Sequence, residues 1–140
     1  MTDYTKLRKS LKHLERQFAN YRGAKDRAAL TDLDREAIAE STVQRFETCY
    51  DTLWKCLKRH LTEKLGIPEV PNSPKPILRL ANENGLLGSS VERWMDYADA
   101  RVSTAHDYSG SKAGECLDLM EDFVADAIAA YKTMAGETWA

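Results

Sequence analysis

Residues 45–61 read RFETCYDTLWKCLKRHL. Phe46, Tyr50, Leu53, Leu57 and Leu61 recur there at steps of 4, 3, 4 and 4. On a helix turning about 100° per residue, that spacing makes one apolar stripe. A half-buried strand would need apolar residues at every second position, and the stretch shows no such alternation. Upstream, Thr31 or Asp32 can cap this helix, because a short side-chain oxygen accepts one of the unpaired N–H groups of the first turn. Downstream, Gly66 followed by Pro68 stops it. A helix over 32–65 is about 50 Å long at about 1.5 Å per residue. That exceeds what a 140-residue globule needs. Its ends are expected to lean on something else, such as a second copy of the chain.

The same period runs outward in both directions. Leu7, Leu11, Leu14, Phe18 and Tyr21 form a stripe that predicts a first helix over 3–22, ending before Gly23. The segment GAKDRAALTD that follows reads as a loop. Four prolines cluster in PEVPNSPKP, and Ser73-Pro74 is a capping residue followed by proline at the first helical position. A short third helix follows through Ile77, Leu78 and Ala81 to Gly85. Ser89 or Ser90 caps a fourth, with Val91, Trp94, Met95, Ala98, Val102 and Ala105 on its inner side. A final helix carries Ala113, Cys116, Leu117, Met120, Phe123, Val124, Ala127 and Tyr131 and ends at Gly136. The expected fold is all-α: an up-down four-helix bundle with an additional short helix, one domain over 1–140 with its core at about 3–136. Trp54 and Trp94 read as core.

Composition narrows the function classes. The chain is 43% hydrophobic and 30% charged with a net charge of −2, enough to bury a core and too balanced for a global nucleic-acid binder. The charge is uneven. Residues 1–25 hold seven Lys/Arg against two Asp/Glu, and residues 111–140 hold two against six. The basic first helix, with Lys6, Arg8, Lys9, Lys12 and Arg16, reads first as a solvated face and second as a surface able to track an RNA backbone. No apolar run reaches the length of a membrane span, and the N-terminus lacks a signal-peptide hydrophobic stretch. Cys49, Cys56 and Cys116 have no CxxC spacing and read as free thiols of a cytoplasmic protein.

Histidines sit badly for a metal. No Glu-x-x-His precedes His13, His60 or His106, and Cys56 with His60 offers two ligands where a site needs more. No Gly-rich phosphate loop, GxSxG or HExxH is present. The polar stretch at the end of the fourth helix, ARVSTAHDYSG at 100–110, is different. A histidine titrates near neutrality and can move a proton. An arginine fork fits two phosphate oxygens and stabilises charge that grows in a transition state. Together they suffice for cleaving RNA without a metal or a serine, because the ribose 2′-OH is the nucleophile. On a regular helix Arg101 and His106 stand about 140° apart. They meet only if the helix loosens near 107–110 or if a second copy supplies the other half across a two-fold axis. With ten arginines and three histidines, R-x-x-x-x-H is expected by chance about 0.2 times; adding the tyrosine two further on lowers that to about 0.01.

The pattern Arg101-VSTA-His106-Asp-Tyr108 resembles the R-x-x-x-x-H-x-Y signature of HEPN-superfamily proteins paired with minimal nucleotidyltransferases. RFETCYDTLWKCLKRHL, NSPKPILRLANENGLL and VERWMDYADAR resemble segments of the nucleotidyltransferase substrate-binding protein group of that superfamily, and the likeness spans most of residues 3–135. The resemblance implies a helical homodimer with a cleft on the two-fold axis. It implies the toxin of a toxin–antitoxin module, cutting RNA with Arg101 and His106, Asp107 supporting, and neither metal nor cofactor. It also implies that a nucleotidyltransferase antitoxin silences the toxin by moving AMP from ATP onto Tyr108. Bulky, anionic AMP beside the cleft would block RNA by sterics and repulsion. One departure stands out: many members have Asn, Asp or His directly after the arginine, where this chain has Val102. That departure keeps a second reading open, a non-catalytic subunit that binds a nucleotidyltransferase.

Overall fold

The computed structural model describes residues 3–106 and 110–139, with the backbone alone at His106 and Gly110. Among these residues the chain is all-helical. The order is α1 (Thr5–Ala24), α2 (Asp32–Glu63), α3 (Pro74–Glu83), α4 (Val91–His106), α5 (Gly110–Asp118) and α6 (Met120–Ala135). The helices lie close to where the apolar stripes put them, for identifiable reasons, although α1 runs through Gly23 to Ala24 instead of ending before Gly23. Thr31 caps α2 through a reciprocal box: its hydroxyl accepts from the Asp34 N–H at 3.0 Å, and the Asp34 carboxylate accepts from the Thr31 N–H at 2.9 Å. Pro74 opens α3 behind Ser73 in extended backbone. Gly66, Gly85 and Gly136 take φ of 65°, 71° and 69°, the left-handed region that ends a helix cheaply only with glycine.

The expected final helix is interrupted once. Leu119 adopts φ −87° and ψ −11°, and its N–H donates to the Cys116 carbonyl three residues back at 3.1 Å. That tightened turn separates α5 from α6. The apolar period continues across it, so Cys116, Leu117, Met120, Phe123 and Val124 all stay buried.

One hydrophobic core joins the helices. Leu7, Leu11 and Leu14 of α1 pack with Leu53, Leu57 and Leu61 of α2, all essentially without solvent contact. At the centre Phe123 meets Phe46, Tyr97 and Trp94 edge-on, with centroids 4.9, 5.1 and 6.1 Å away. Tyr97 donates from its hydroxyl to Asp126, which also receives Arg93 at 3.0 Å, so α4 is tied to α6 by both packing and charge. Trp94 is core as expected, whereas Trp54 is only half-buried on the surface of α2. The first turns of α2 project: no residue from Asp32 to Ser41 is buried, and Leu33 is exposed.

Val102 corrects the inward stripe expected for α4. It is 58% exposed, and Ala105 is exposed beside it. Trp94, Tyr97, Ala98 and Thr104 do the burying. A 3.6-residue period admits Val102 to an apolar arc, but burial along α4 falls on the side of those residues, and Val102 borders an open groove instead.

Candidate functional site

Two carboxylates and one arginine build the site. Glu47 and Asp51 lie four apart on α2, one turn, so both project from the same side. Arg101 lies in the last two turns of α4 and reaches across to them. Its Nε donates to Asp51 Oδ1 at 3.2 Å and its Nη2 to Asp51 Oδ2 at 3.1 Å, a two-pronged fork. Nη1 donates to Glu47 Oε2 at 3.2 Å. Thr104, one turn further along α4 and fully buried, donates its hydroxyl to the same Glu47 oxygen at 2.8 Å. Glu47 is buried, while the Arg101 and Asp51 side chains keep 27% and 39% of their exposure. The guanidinium is therefore oriented from below and reachable from outside.

A groove of about 450 Å³ opens beside Arg101, lined largely by apolar groups of Tyr50, Pro74, Pro76, Ala98, Val102 and Ala105. Ala98, Arg101, Val102 and Ala105 share one arc of α4, which is why the charge and the apolar strip are neighbours. Burial, and then the negative charge of Asp51, push the Tyr50 phenol well above its ordinary pKa, so it stays protonated.

The sequence-predicted residues divide as follows. Arg101 is placed, and its partners are new. Sequence alone does not single out Glu47, Asp51 and Thr104. The only hint is a pair of carboxylates one turn apart on the flank of an apolar stripe. Asp107 and Tyr108 lie outside the described residues, and His106 is described only in its backbone. The α4 backbone is helical through His106, so positions 101 and 106 stand about 140° apart around its axis. Elsewhere, Cys56 is buried, and His60 pairs with Tyr4, whose hydroxyl oxygen lies 2.7 Å from Nδ1.

Comparison with known proteins shows the kinship. A Haemophilus influenzae protein named probable ribonuclease HepT is 29% identical over 99 residues, which cover 66% of this chain and 64% of that protein. The match thus spans a little under two thirds of that relative's length. The fold matches a solved Haemophilus influenzae structure described as the substrate-binding domain of a nucleotidyltransferase, with a TM-score of 0.83 at 22% identity over 95% of this chain and 99% of that one. A crystal structure from Thermus thermophilus matches with a TM-score of 0.62 at 25% identity, over 88% of this chain and 96% of the other. The model of the family described as nucleotidyltransferase substrate binding protein like matches residues 2–136, and the chain belongs to that family.

Proposed function

We propose that this protein is a metal-independent endoribonuclease, the toxin of a two-component module whose antitoxin is a nucleotidyltransferase. Arg101 and His106 are its catalytic residues, with Asp107 supporting. One observation carries this reading: Arg101 sits five residues before His106 with its guanidinium oriented by Glu47 and Asp51 and still open to solvent. A donor held in advance stabilises transition-state charge without reorganising. Arg101 receives the scissile phosphate. His106 takes the proton of the ribose 2′-OH or returns one to the leaving 5′-oxygen. The helical backbone through His106 keeps positions 101 and 106 on different sides of α4, which favours a cleft completed by a second copy. Exposed Val102 and the apolar groove beside Arg101 supply a surface for that homodimer. Tyr108, two residues past the histidine, is the AMP acceptor through which the nucleotidyltransferase silences the cleft.

A second reading, a non-catalytic subunit that binds a nucleotidyltransferase, has one observation in its favour. Two carboxylates face one guanidinium, so the Glu47–Asp51–Arg101 cluster carries a formal charge of −1, which opposes an incoming phosphate. Cleavage of RNA in excess EDTA, parent beside His106→Ala, separates the two. Cutting by the parent alone establishes the ribonuclease. No cutting by either, from folded protein free of AMP, together with a stable complex on co-expression with the nucleotidyltransferase, favours the subunit.

A further inference from the structure

A second groove lies away from Arg101. It has a volume of about 920 Å³ and lies between α1 and the C-terminal end of α6, with Lys64, just past α2, also in its lining. Arg8, Lys12 and Arg16 follow one another at intervals of four residues along α1, with Lys9 beside them. Four residues of helix rise about 6 Å. That is comparable to the separation of neighbouring phosphates along an extended nucleic-acid strand. The groove counts five Lys/Arg against two carboxylates, Asp3 and Glu137. Among the described residues, Lys9, Lys12, Arg16 and Lys64 make no ion pair. Lys12 is instead held over the Trp139 ring with Nζ 3.9 Å from its centroid.

Position separates this groove from the arginine site. α1 meets α2 through Tyr4–His60 and His13–Arg45. At about 100° per residue, Glu47 and Asp51 lie on roughly the opposite side of α2. Composition separates an RNA from a protein as occupant. Protein interfaces are depleted in lysine at their cores, whereas phosphate backbones are held by rows of Lys and Arg.

We propose that this basic groove is an anchoring site for the phosphate backbone of RNA, remote from the cleft that Arg101 lines. The choice of RNA rests on the ribonuclease reading. The groove itself is tested by binding alone. The probe is a fluorescein-labelled single-stranded poly(U) titrated with the His106→Ala protein over a range of salt. The test variant carries Lys9→Gln, Arg16→Gln and Lys64→Gln, three exposed positions whose loss leaves the core intact. A control carries Lys25→Gln, Lys55→Gln and Arg79→Gln, also exposed and outside the groove. Thermal melts confirm that both are folded.

The groove variant is expected to bind at least tenfold more weakly at about 0.1 M salt, with a log–log salt slope shallower by about 2, at about 0.7 for each phosphate no longer neutralised. The control keeps the parent's affinity and slope. Equal binding by parent and groove variant overturns the proposal, as does equal loss in the control, or no binding by the parent. Weakened binding by the groove variant in a protein that cuts no RNA upholds the anchor and removes the ribonuclease reading. RNA cutting by the parent with an unchanged slope in the groove variant removes the anchor alone, and leaves the groove as a face for an acidic protein.

Discussion

Arg101 and Asp51 are joined across the bundle by two parallel bonds, Nε to Oδ1 at 3.2 Å and Nη2 to Oδ2 at 3.1 Å. Fifty residues separate them in sequence. The pair turns a flexible side chain into an oriented donor, and Glu47 beneath it fixes the third nitrogen. Removing either carboxylate should therefore act on different properties. Asp51→Asn keeps the shape and loses the charged fork. Because the pair is partly exposed, the melting temperature should shift by less than about 3 °C. On the proposed ribonuclease reading, RNA cleavage should fall tenfold or more, through loss of guanidinium orientation. Glu47→Ala removes one acceptor from buried Thr104, whose hydroxyl keeps the Arg101 carbonyl at 3.1 Å, and one from Arg101, which keeps Asp51. It should cost about 1–3 kcal/mol and lower the melting temperature by about 5 °C. An Asp51→Asn protein that cuts as fast as the parent would show the fork to be irrelevant to catalysis.

Val102 is exposed on the arc that borders the apolar groove, so a charge there leaves the core alone. If the proposed homodimer forms through this arc, Val102→Asp should keep the parent's helical content and run as a monomer in light scattering at micromolar concentration, where the parent runs as a dimer. Burying an unpaired carboxylate at a packed apolar contact is costly. Cleavage should disappear with the dimer. A variant that stays dimeric would place the two-fold contact elsewhere.

His60 gives the fold a dependence on pH. It is buried, and burial first, then the charge of Lys64, hold its pKa below the ordinary 6.5. As pH falls through 6.5 the unfolded chain takes up a proton before the folded one does. The contribution of this residue is thus fully present above 6.5 and is lost as pH drops toward the depressed folded value. Melting temperature should fall between about pH 7.5 and about pH 5. A His60→Gln variant should fall less steeply over the same window. Parallel curves for the two proteins would remove His60 from the explanation.

The thiols should be inert while the chain is folded. Burial pushes Cys49 up to about 12, Cys56 to about 11 and Cys116 to about 12. Only the thiolate alkylates, so at about pH 8 its fraction in each is on the order of 10⁻³ or less. Iodoacetamide should add nothing to the native protein in an hour and three groups in guanidinium, read by intact mass. A rapidly labelled native cysteine would mean local opening of the helix that carries it.

The helices are legible in the chain because their causes are local. A stripe such as Phe46, Tyr50, Leu53, Leu57 and Leu61 states its own period. Thr31 caps with a residue three positions away, and Gly66, Gly85 and Gly136 stop helices by their own backbone freedom. Arg101 is legible as a candidate for the same reason, since His106 and Tyr108 follow it within one short motif. The break at Leu119 is not, because the apolar period runs through it unchanged.

What only the tertiary structure decided is which distant surfaces meet. Nothing near Arg101 in sequence announces Asp51 or Glu47; the pairing exists because α4 crosses α2 at that height. Nothing in the spacing of Val102 says that its side chain stays largely exposed. The basic stripe of α1 is visible in the sequence, but it becomes a groove only where the end of α6 and Lys64 join it in one lining. Periodicity and capping depend on residues within a turn or two of one another. A site depends on which helix faces cross, and that is set by how the whole core packs.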